Sequence, residues 1–253
     1  MSTITIITVW NKPELFLEFQ QELAQQQGVA YTLLAVDNSQ NRYPGAREAF
    51  LSQMDQVQTE FVVFMHQDIR FQDENALRDL IASAEALDNL GIAGVAGCPD
   101  GENWILYSDI VHGKQALPAG KAVNGSVPVQ TVDECLFLMR ADIARKYPFI
   151  RRSGWHMYAV EQCLALRRAG YQNYVISARV WHLSKGGSLE QSYLRTLEEM
   201  IEEYGDDTDY LNTTVKQWAT KGWKAALYRA YYLHKMKLKG FLQRHLHWPK
   251  DER

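Results

Sequence analysis

The stretch FVVFMHQD, residues 61–68, decides the fold class of this chain. Its apolar residues need burial on both faces, which is typical of a strand in the middle of a parallel sheet. Ligand sites of open α/β sheets lie at the carboxyl ends of such strands. His66 and Asp68 stand at that end, and imidazole and carboxylate groups both bind divalent ions of the Mn²⁺ type. The alternative is a strand that simply ends in a polar turn.

Strand and helix patterns alternate on both sides of this stretch. The predicted strands cover residues 3–9, 31–36, 61–65, 91–97, 129–139 and 174–181. The predicted helices cover residues 14–27, 45–56, 75–89 and 158–169. This alternation predicts a parallel, doubly wound sheet over roughly the first hundred residues. Residues 98–128 are rich in Gly, Pro and Asn, so we expect an extended loop or a hairpin there.

The composition is that of an ordinary globular protein, with 46% hydrophobic and 23% charged residues among 253. This length suits one large α/β domain, or one domain with an appendage. Three widely spaced cysteines, Cys98, Cys135 and Cys163, form neither a disulfide framework nor a metal knuckle. We expect reduced thiols and a cytoplasmic protein. The chain opens directly with a strand pattern, and no apolar run approaches transmembrane length.

The carboxyl-terminal part of the chain is strongly basic, whereas the remainder is acidic. From Leu189 onward the pattern predicts helices, first acidic and then basic; residues 216–253 carry about +8 and the rest of the chain about −11. Residues 215–248 interleave basic with aromatic and aliphatic side chains, which predicts a basic amphipathic helix or pair of helices. Such a helix can lie on an anionic membrane. It can equally pack on the acidic helix of the same chain, or of a neighbour in a homo-oligomer. We expect no nucleic-acid partner, since no recognition motif is present.

Polar residues follow the other strands too. Asp37 ends the second strand, and the turn from Thr8 to Asn11 ends the first. A carboxylate beside a polar turn suits recognition of a nucleoside. No Gly-rich loop follows the first strand, which argues against a dinucleotide-binding domain and against a P-loop. A diphosphate here needs another charge partner, and a metal at His66 and Asp68 would supply it.

Three segments, TIITVWN (5–11), AVDNS (35–39) and FMHQD (64–68), resemble the successive nucleotide-sugar-binding segments of glycosyltransferase family 2. HQD stands where that family carries its metal-binding DxD. WHMYAVEQCL (155–164), AGY (169–171) and VWHLSKGG (180–187) resemble its acceptor and catalytic segments. The resemblance covers about residues 3–188. It implies a GT-A-like domain at 1–188, with a mostly parallel sheet and helices on both faces, followed by a helical extension at 189–253.

The resemblance also implies a binding site. His66, Asp68 and His182 would hold Mn²⁺ or Mg²⁺. The nucleotide sugar would contact residues around the strand ends and a flexible loop: Thr8, Val9, Trp10, Asn11, Asp37, Asn38, Ser39, Arg47, Gln67 and Lys185. The alternatives are a half-buried strand-end histidine bonded to backbone for His182, and a solvated surface side chain for Arg47.

The catalytic base departs from the family pattern, because Tyr158-Ala159 replaces the usual acidic pair. Glu161 lies in the first turn of the same helix, where the helix dipole would lower its pKa and keep it ionised. Asp133 is the second candidate, since an acid in a buried strand calls for a function. Trp155, His156 and Tyr158 form a predicted stacking platform for an acceptor sugar; core packing is the alternative.

We therefore predict a metal-assisted, inverting glycosyltransferase that uses a nucleoside diphosphate sugar, most often UDP-linked in such proteins. Its acceptor would be a polysaccharide or glycolipid, and its location cytoplasmic or peripheral at the inner membrane face. A nucleotidyltransferase that makes the activated sugar is one alternative, although such enzymes usually carry a Gly-rich basic loop that is missing here. A non-catalytic nucleotide-sugar-binding or scaffolding domain is the other, favoured by Ala159.

Overall fold

The computed structural model describes residues 3–184 and 191–245. The helices are α1 (Pro13–Ala24), α2 (Ala46–Leu51), α3 (Ala76–Glu85), α4 (Ala141–Lys146), α5 (Tyr158–Arg168), α6 (Gln191–Tyr204) and α7 (Trp223–His245), with a 3-10 turn at Met54–Gln56. The longer strands are β1 (Thr3–Trp10), β2 (Ala30–Asp37), β3 (Phe61–Met65), β5 (Leu90–Gly94), β10 (Ser126–Val129), β12 (Leu136–Arg140) and β13 (Gln172–Ile176). The shorter strands are β4 (Ile69–Phe71), β6 (Ala96–Cys98), β7 (Tyr107–Ser108), β8 (Ile110–His112), β9 (Leu117–Pro118), β11 (Thr131–Val132), β14 (Val180–His182), β15 (Tyr210–Asn212) and β16 (Gln217–Ala219).

The seven longer strands form the central sheet, in the order β10-β13-β5-β12-β3-β1-β2. β1 runs parallel to β2 and β3, and β5 runs parallel to β13. β12 is antiparallel to both of its neighbours, and β10 is antiparallel to β13. The predicted α/β fold with a mostly parallel sheet is confirmed, with two reversed strands that the sequence pattern does not show.

Helices cover both faces of this sheet because successive strand residues point to opposite sides. Phe61, Val63 and Met65 pack with α1 and α3 on one face. Val62 and Phe64 pack with α2, α4 and α5 on the other. All five side chains are buried, and each contributes about 1.5–3 kcal/mol of burial free energy. The apolar stretch therefore forms the middle of the core.

Two predicted strands prove to be interrupted. The segment predicted at 129–139 divides where the Asp133 carboxylate accepts the backbone N–H of Cys135, a turn that breaks the ladder. The segment predicted at 174–181 divides at Arg179, which has a φ of 46°. The Asp109 carboxylate accepts the backbone N–H of Ala178 and of Arg179, and so holds this bend. The bend redirects the chain, and β14 joins a separate sheet in the order β4-β14-β8-β9.

Two further expectations need correction. The region predicted as a loop or one hairpin, 98–128, contributes β7 to β9 and most of β10 to three different sheets. The carboxyl-terminal part is not helical throughout, because β15 and β16 form a hairpin between α6 and α7. The hydroxyl of Thr213 accepts the backbone N–H of Lys216 and closes that turn.

The carboxyl-terminal elements pack directly on the sheet domain. Met157, Val160 and Leu164 of the α5 region share a hydrophobic cluster with α6, the hairpin and α7. The predicted domain boundary near residue 188 falls within residues 185–190, outside the described residues. Among residues that the structure describes, no helix combines the length and apolar character needed to cross a membrane.

A buried ion pair fixes α2 against α5. The Arg47 guanidinium and the Glu161 carboxylate, 0% and 2% exposed, approach to 2.7 Å. Arg152 approaches the second oxygen of Glu161 to 3.1 Å. A buried arginine that loses its partner is costly, because its charge then lies uncompensated in a low-dielectric interior.

Glu161→Gln should lower the free energy of unfolding by about 3–5 kcal/mol, because it leaves Arg47 buried without a counter-charge. Urea denaturation followed by circular dichroism measures this change. Asp209→Asn is the matched control: it removes an exposed ion pair with Lys221 and should leave the unfolding midpoint nearly unchanged. Equal midpoints for the two variants would contradict a structural role for the Arg47–Glu161 pair.

Candidate functional site

The carboxyl ends of β1, β2 and β3 meet at one edge of the sheet. The backbone N–H of Asn38 donates to the carbonyl of Trp10 at 2.8 Å, which joins the ends of β1 and β2. The Gln67 side-chain carbonyl accepts the backbone N–H groups of Asn11 and Lys12, and its amide donates to the Asn11 side chain at 2.7 Å. The Gln67 side chain thus connects the ends of β1 and β3. It was predicted as a nucleotide contact, and this structural role comes in addition.

His66, Asp68 and His182 form a cluster at this edge. One ligand atom from each lies within 4.8 Å of the others. β14 pairs antiparallel to β4, with His182 opposite Ile69, and the backbone N–H of Leu183 donates to the Asp68 carbonyl at 3.0 Å. His182 Nε2 lies 3.4 Å from Asp68 Oδ2, and His66 Nδ1 lies 4.0 Å from Asp68 Oδ1. Two imidazoles and a carboxylate on one side of a cleft are a donor set that fits Mn²⁺.

The charges within this cluster are coupled. Burial alone would raise the pKa of Asp68, but the hydrogen bond and charge of His182, with His66, hold it well below the ordinary value. Burial opposes protonation of His182, yet Asp68 raises the pKa of that imidazole. Burial lowers the pKa of His66, which therefore favours the neutral form. An ionised carboxylate and a neutral imidazole are the forms that bind metal.

Tyr158 orients His66. Its hydroxyl lies 2.7 Å from His66 Nε2 and donates to the backbone carbonyl of Glu134 at 3.1 Å. A second hydrogen bond on the far nitrogen of a metal-ligating imidazole fixes the ring and its tautomer. Tyr158 is 2% exposed, so it offers little ring surface to the cleft.

A cleft of about 380 Å³ lies over the cluster. Predicted residues that line it are Val9, Trp10, Asn11, Asn38, His66, Gln67, Asp68, Trp155 and Tyr158. Asp37 and Ser39 lie exposed at the end of β2, where the Asp37 carboxylate accepts the Ser39 N–H at 2.8 Å. That bond lowers the pKa of Asp37. The residues predicted from β1, β2 and β3 therefore largely gather in one place.

Two predicted nucleotide contacts lie inside the protein instead. Thr8 and Arg47 are both 0% exposed. Thr8 lies in the part of β1 that is buried on both faces of the sheet, and Glu161 holds Arg47 between helices. Both side chains therefore lie beneath the surface of the site. Lys185, the predicted phosphate contact, lies outside the described residues.

The structure also places the two predicted bases differently. Glu161 is fully engaged with Arg47 and Arg152, and burial raises its pKa, opposite to the lowering expected from the helix dipole. Asp133 is half-buried and close enough to the cluster that its charge raises the pKa of His182. Burial would raise the pKa of Asp133, but hydrogen bonds from Thr214 and Cys135 outweigh it and lower the pKa. Of the two carboxylates, Asp133 is the one whose charge acts on His66 and His182.

Sequence reasoning missed two residues beside Asp133. The Thr214 hydroxyl, from the β15–β16 turn, donates to Asp133 Oδ2 at 2.7 Å. Burial and the charge of Asp133 raise the pKa of Glu134 to about 8. Glu134 could have been suspected from the sequence, because it is the second of two consecutive acids in an apolar segment. Thr214 lies 81 positions from Asp133, and no sequence pattern connects the two.

The three predicted acceptor residues differ in their exposure to the cleft. Trp155 is 41% exposed and lines the cleft. His156 is half-buried, with its ring centroid 6.1 Å from that of Tyr193. Of the three, Trp155 is the most exposed ring, and Tyr158 lines the cleft although it is nearly fully buried. His112 was not predicted; it lies opposite His182 on β8, with ring centroids 5.7 Å apart.

The sequence profile of the glycosyltransferase-like family matches residues 5–204. The chain belongs to this family, and the resemblance to glycosyltransferase family 2 is confirmed. No curated protein sequence matches the chain significantly.

Similar solved structures are GT-A glycosyltransferases. GalNAc-T7 with UDP, GalNAc and Mn²⁺ has a TM-score of 0.58 at 10% identity, over 81% of this chain and 49% of its own. S. aureus TarS, residues 1–349, with UDP-GlcNAc has a TM-score of 0.55 at 13% identity, over 98% of this chain and 73% of its own. Mannosyltransferase PcManGT from Pyrobaculum calidifontis with GDP-Man and Mn²⁺ has a TM-score of 0.54 at 12% identity, over 92% of this chain and 70% of its own. The chain thus spans about half the length of the first relative, and at these identities the likeness establishes the fold.

Mn²⁺ affinity should fall as pH is lowered from about 8 to about 5.5, where histidines take up protons. Because Asp68 raises the pKa of His182, the loss should begin at a higher pH than for an ordinary imidazole. Calorimetric titration across this range measures it. Asp68→Asn should abolish binding at every pH, whereas Asp37→Asn, a carboxylate at the neighbouring strand end, should not change it. Equal losses in both variants would place the ion elsewhere.

Proposed function

We propose that this protein transfers a sugar from a nucleoside diphosphate sugar to a saccharide or lipid-linked hydroxyl acceptor, with inversion at the anomeric carbon. The observation that carries the proposal is the His66–Asp68–His182 cluster at the strand-end cleft of a GT-A fold. Relatives with this fold contain UDP with Mn²⁺, UDP-GlcNAc, or GDP-Man with Mn²⁺. We propose a UDP-linked donor, and Mn²⁺ or Mg²⁺ as the ion.

The donor would lie across the ends of β1 to β3. Asp37 and Asn11 offer a carboxylate and a backbone turn for the nucleoside. His66, Asp68 and His182 would hold the cation, which supplies charge neutralisation for the diphosphate leaving group. Tyr158 keeps His66 oriented, since its hydroxyl bonds the nitrogen that faces away from Asp68. Trp155 would pack on the apolar face of a pyranose at the mouth of the cleft.

Asp133 is the proposed base. It accepts the proton of the acceptor hydroxyl while that oxygen forms its bond to the anomeric carbon, and the bond from this carbon to the diphosphate oxygen breaks. The lowered pKa of Asp133 keeps it ionised at neutral pH. Glu134 beside it, with its pKa raised to about 8, holds a proton there and spares the site a second negative charge.

Donor hydrolysis tests the proposal. Purified protein should release UDP from a UDP-sugar in the presence of Mn²⁺, and Asp133→Asn should lower kcat by about 10²–10⁴-fold with little change in donor KM. Glu134→Gln is the neighbouring control and should retain most activity, because Glu134 is already protonated. Measurement is by coupled UDP detection over a panel of UDP- and GDP-sugars.

Two outcomes would redirect the proposal. Binding of a nucleotide sugar without turnover, seen as a thermal shift in wild type and lost in Asp68→Asn, would indicate the non-catalytic binding domain that Tyr158-Ala159 favours. Turnover lost in Glu161→Gln but kept in Asp133→Asn, with both variants folded, would return the base to Glu161. Failure of every nucleotide to stabilise the protein with Mn²⁺ would reject the proposed function.

Thr214→Val should move the acid limb of the kcat/KM profile to higher pH. The Thr214 hydroxyl helps to hold the pKa of Asp133 down, so its removal raises that pKa and more of the carboxyl is protonated at a given pH. Thr214→Ser retains the hydroxyl and should restore the wild-type profile. A drop in activity that is equal at all pH values would show a merely structural effect of the valine.

A further inference from the structure

Helix α7 presents apolar side chains on two opposite faces. The inner face packs on the hydrophobic cluster shared with α5, α6 and the β15–β16 hairpin through Tyr232 and Met236, and Ala225 on the same side is buried. The outer face carries large apolar side chains in solvent: Trp223 69% exposed, Leu227 60%, Tyr231 60% and Leu238 51%. Side chains of this size left this exposed on one helix indicate an interaction surface.

The outer residues lie along one side of the helix, where the exposed His234 also falls between Tyr231 and Leu238. At 3.6 residues per turn, positions 223, 227, 231 and 238 fall within an arc of roughly 80°. The centre of that arc lies opposite the inner face at 225, 232 and 236. We call Trp223, Leu227, Tyr231 and Leu238 the outer stripe. Packing within the chain leaves more than half of each of these four side chains exposed to solvent.

All charged residues in the α7 sequence are positive, and two of those whose side chains are described flank the outer stripe. The α7 sequence contains six Lys and Arg and no Asp or Glu. Arg229 turns inward and pairs with Glu198 at 3.0 Å. Lys235 and Lys237 are exposed, and helical geometry places them roughly 80° to either side of the stripe centre. Lysines at the edges of an apolar stripe can extend their ammonium groups to a phosphate layer while the stripe enters the acyl boundary.

We propose that the outer stripe of α7 docks this protein on an anionic lipid bilayer, with the helix lying in the plane of the interface. Charge favours this occupant over a second copy of the chain, because two facing α7 helices would bring lysines together with no acid on either helix to pair with them. The docking surface rests on α7 alone, so it holds whether or not the proposed transfer reaction is correct.

Co-sedimentation of the full chain with vesicles tests the surface. Wild-type protein should bind vesicles of phosphatidylcholine mixed with phosphatidylglycerol, bind pure phosphatidylcholine vesicles much less, and dissociate as NaCl is raised. Leu227→Ser should weaken the partition coefficient about tenfold, because an inserted leucine side chain is lost. Lys237→Gln should weaken it about fivefold through loss of one charge near the surface.

Matched variants control for general surface effects. Leu17 on α1 is 57% exposed, so Leu17→Ser makes the same change at the same exposure on another helix. Lys114 is also exposed, in the turn before β9, and Lys114→Gln matches the charge change. Both controls should bind vesicles like wild type. Tyr231→Ser is the second stripe variant if Leu227→Ser does not fold.

Three results would overturn the proposal. The first is no sedimentation with anionic vesicles at low salt. The second is that Lys237→Gln loses vesicle binding while Leu227→Ser and Tyr231→Ser both keep it, which would show that the stripe does not insert. The third is a wild-type dimer in analytical ultracentrifugation that Leu227→Ser dissociates, without vesicle binding, which would make the stripe a contact between copies.

Discussion

The pairing of β14 with β4 is the constraint on which the site depends. β3 delivers His66 and Asp68 to the edge of the central sheet, but the third member of the cluster comes from a strand more than a hundred positions later. The register of Val180 opposite Phe71 and His182 opposite Ile69 brings it back. That register exists because the chain bends at Arg179 and leaves the central sheet. A continuous strand through residue 181 would have carried His182 away from Asp68.

Tyr158 occupies a position where related sequences were expected to carry an acid, and its contacts in the structure connect two parts of the site. Its hydroxyl links His66 to the Glu134 backbone, so the helix supplies orientation in place of charge. A carboxylate is present instead on Asp133, 25 positions earlier in the sequence, where two hydrogen bonds stabilise it. Under the proposed function, Tyr158 orients the metal ligand His66 and Asp133 takes the proton, so the two tasks fall to two different segments. A carboxylate is present, but on a turn between strands.

The sequence predicted the central features because they depend on local patterns. Apolar strands followed by polar residues predict both the sheet and the edge where His66, Asp68 and Asp37 gather. Features that depend on distant pairs were not predictable in this way. Arg47 was expected at the nucleotide, since nothing near it in sequence shows that Glu161, 114 positions later, holds it in the interior. The break at Arg179 was equally hidden, because its bend is fixed by Asp109, 70 positions earlier.

The carboxyl-terminal hairpin belongs to the site as much as to the extension. Its turn carries Thr214, whose hydroxyl reaches Asp133, and the neighbouring Lys216 fixes that turn to α7. The Lys216 ammonium lies 4.3 Å and 4.9 Å from the ring centroids of Tyr232 and Tyr228, and it donates to the Tyr232 hydroxyl at 2.7 Å. Contacts of this type are each worth about 0.5–2 kcal/mol. Removing α7 would therefore free the turn that supports Asp133, because the cation that anchors the turn would lose its aromatic partners.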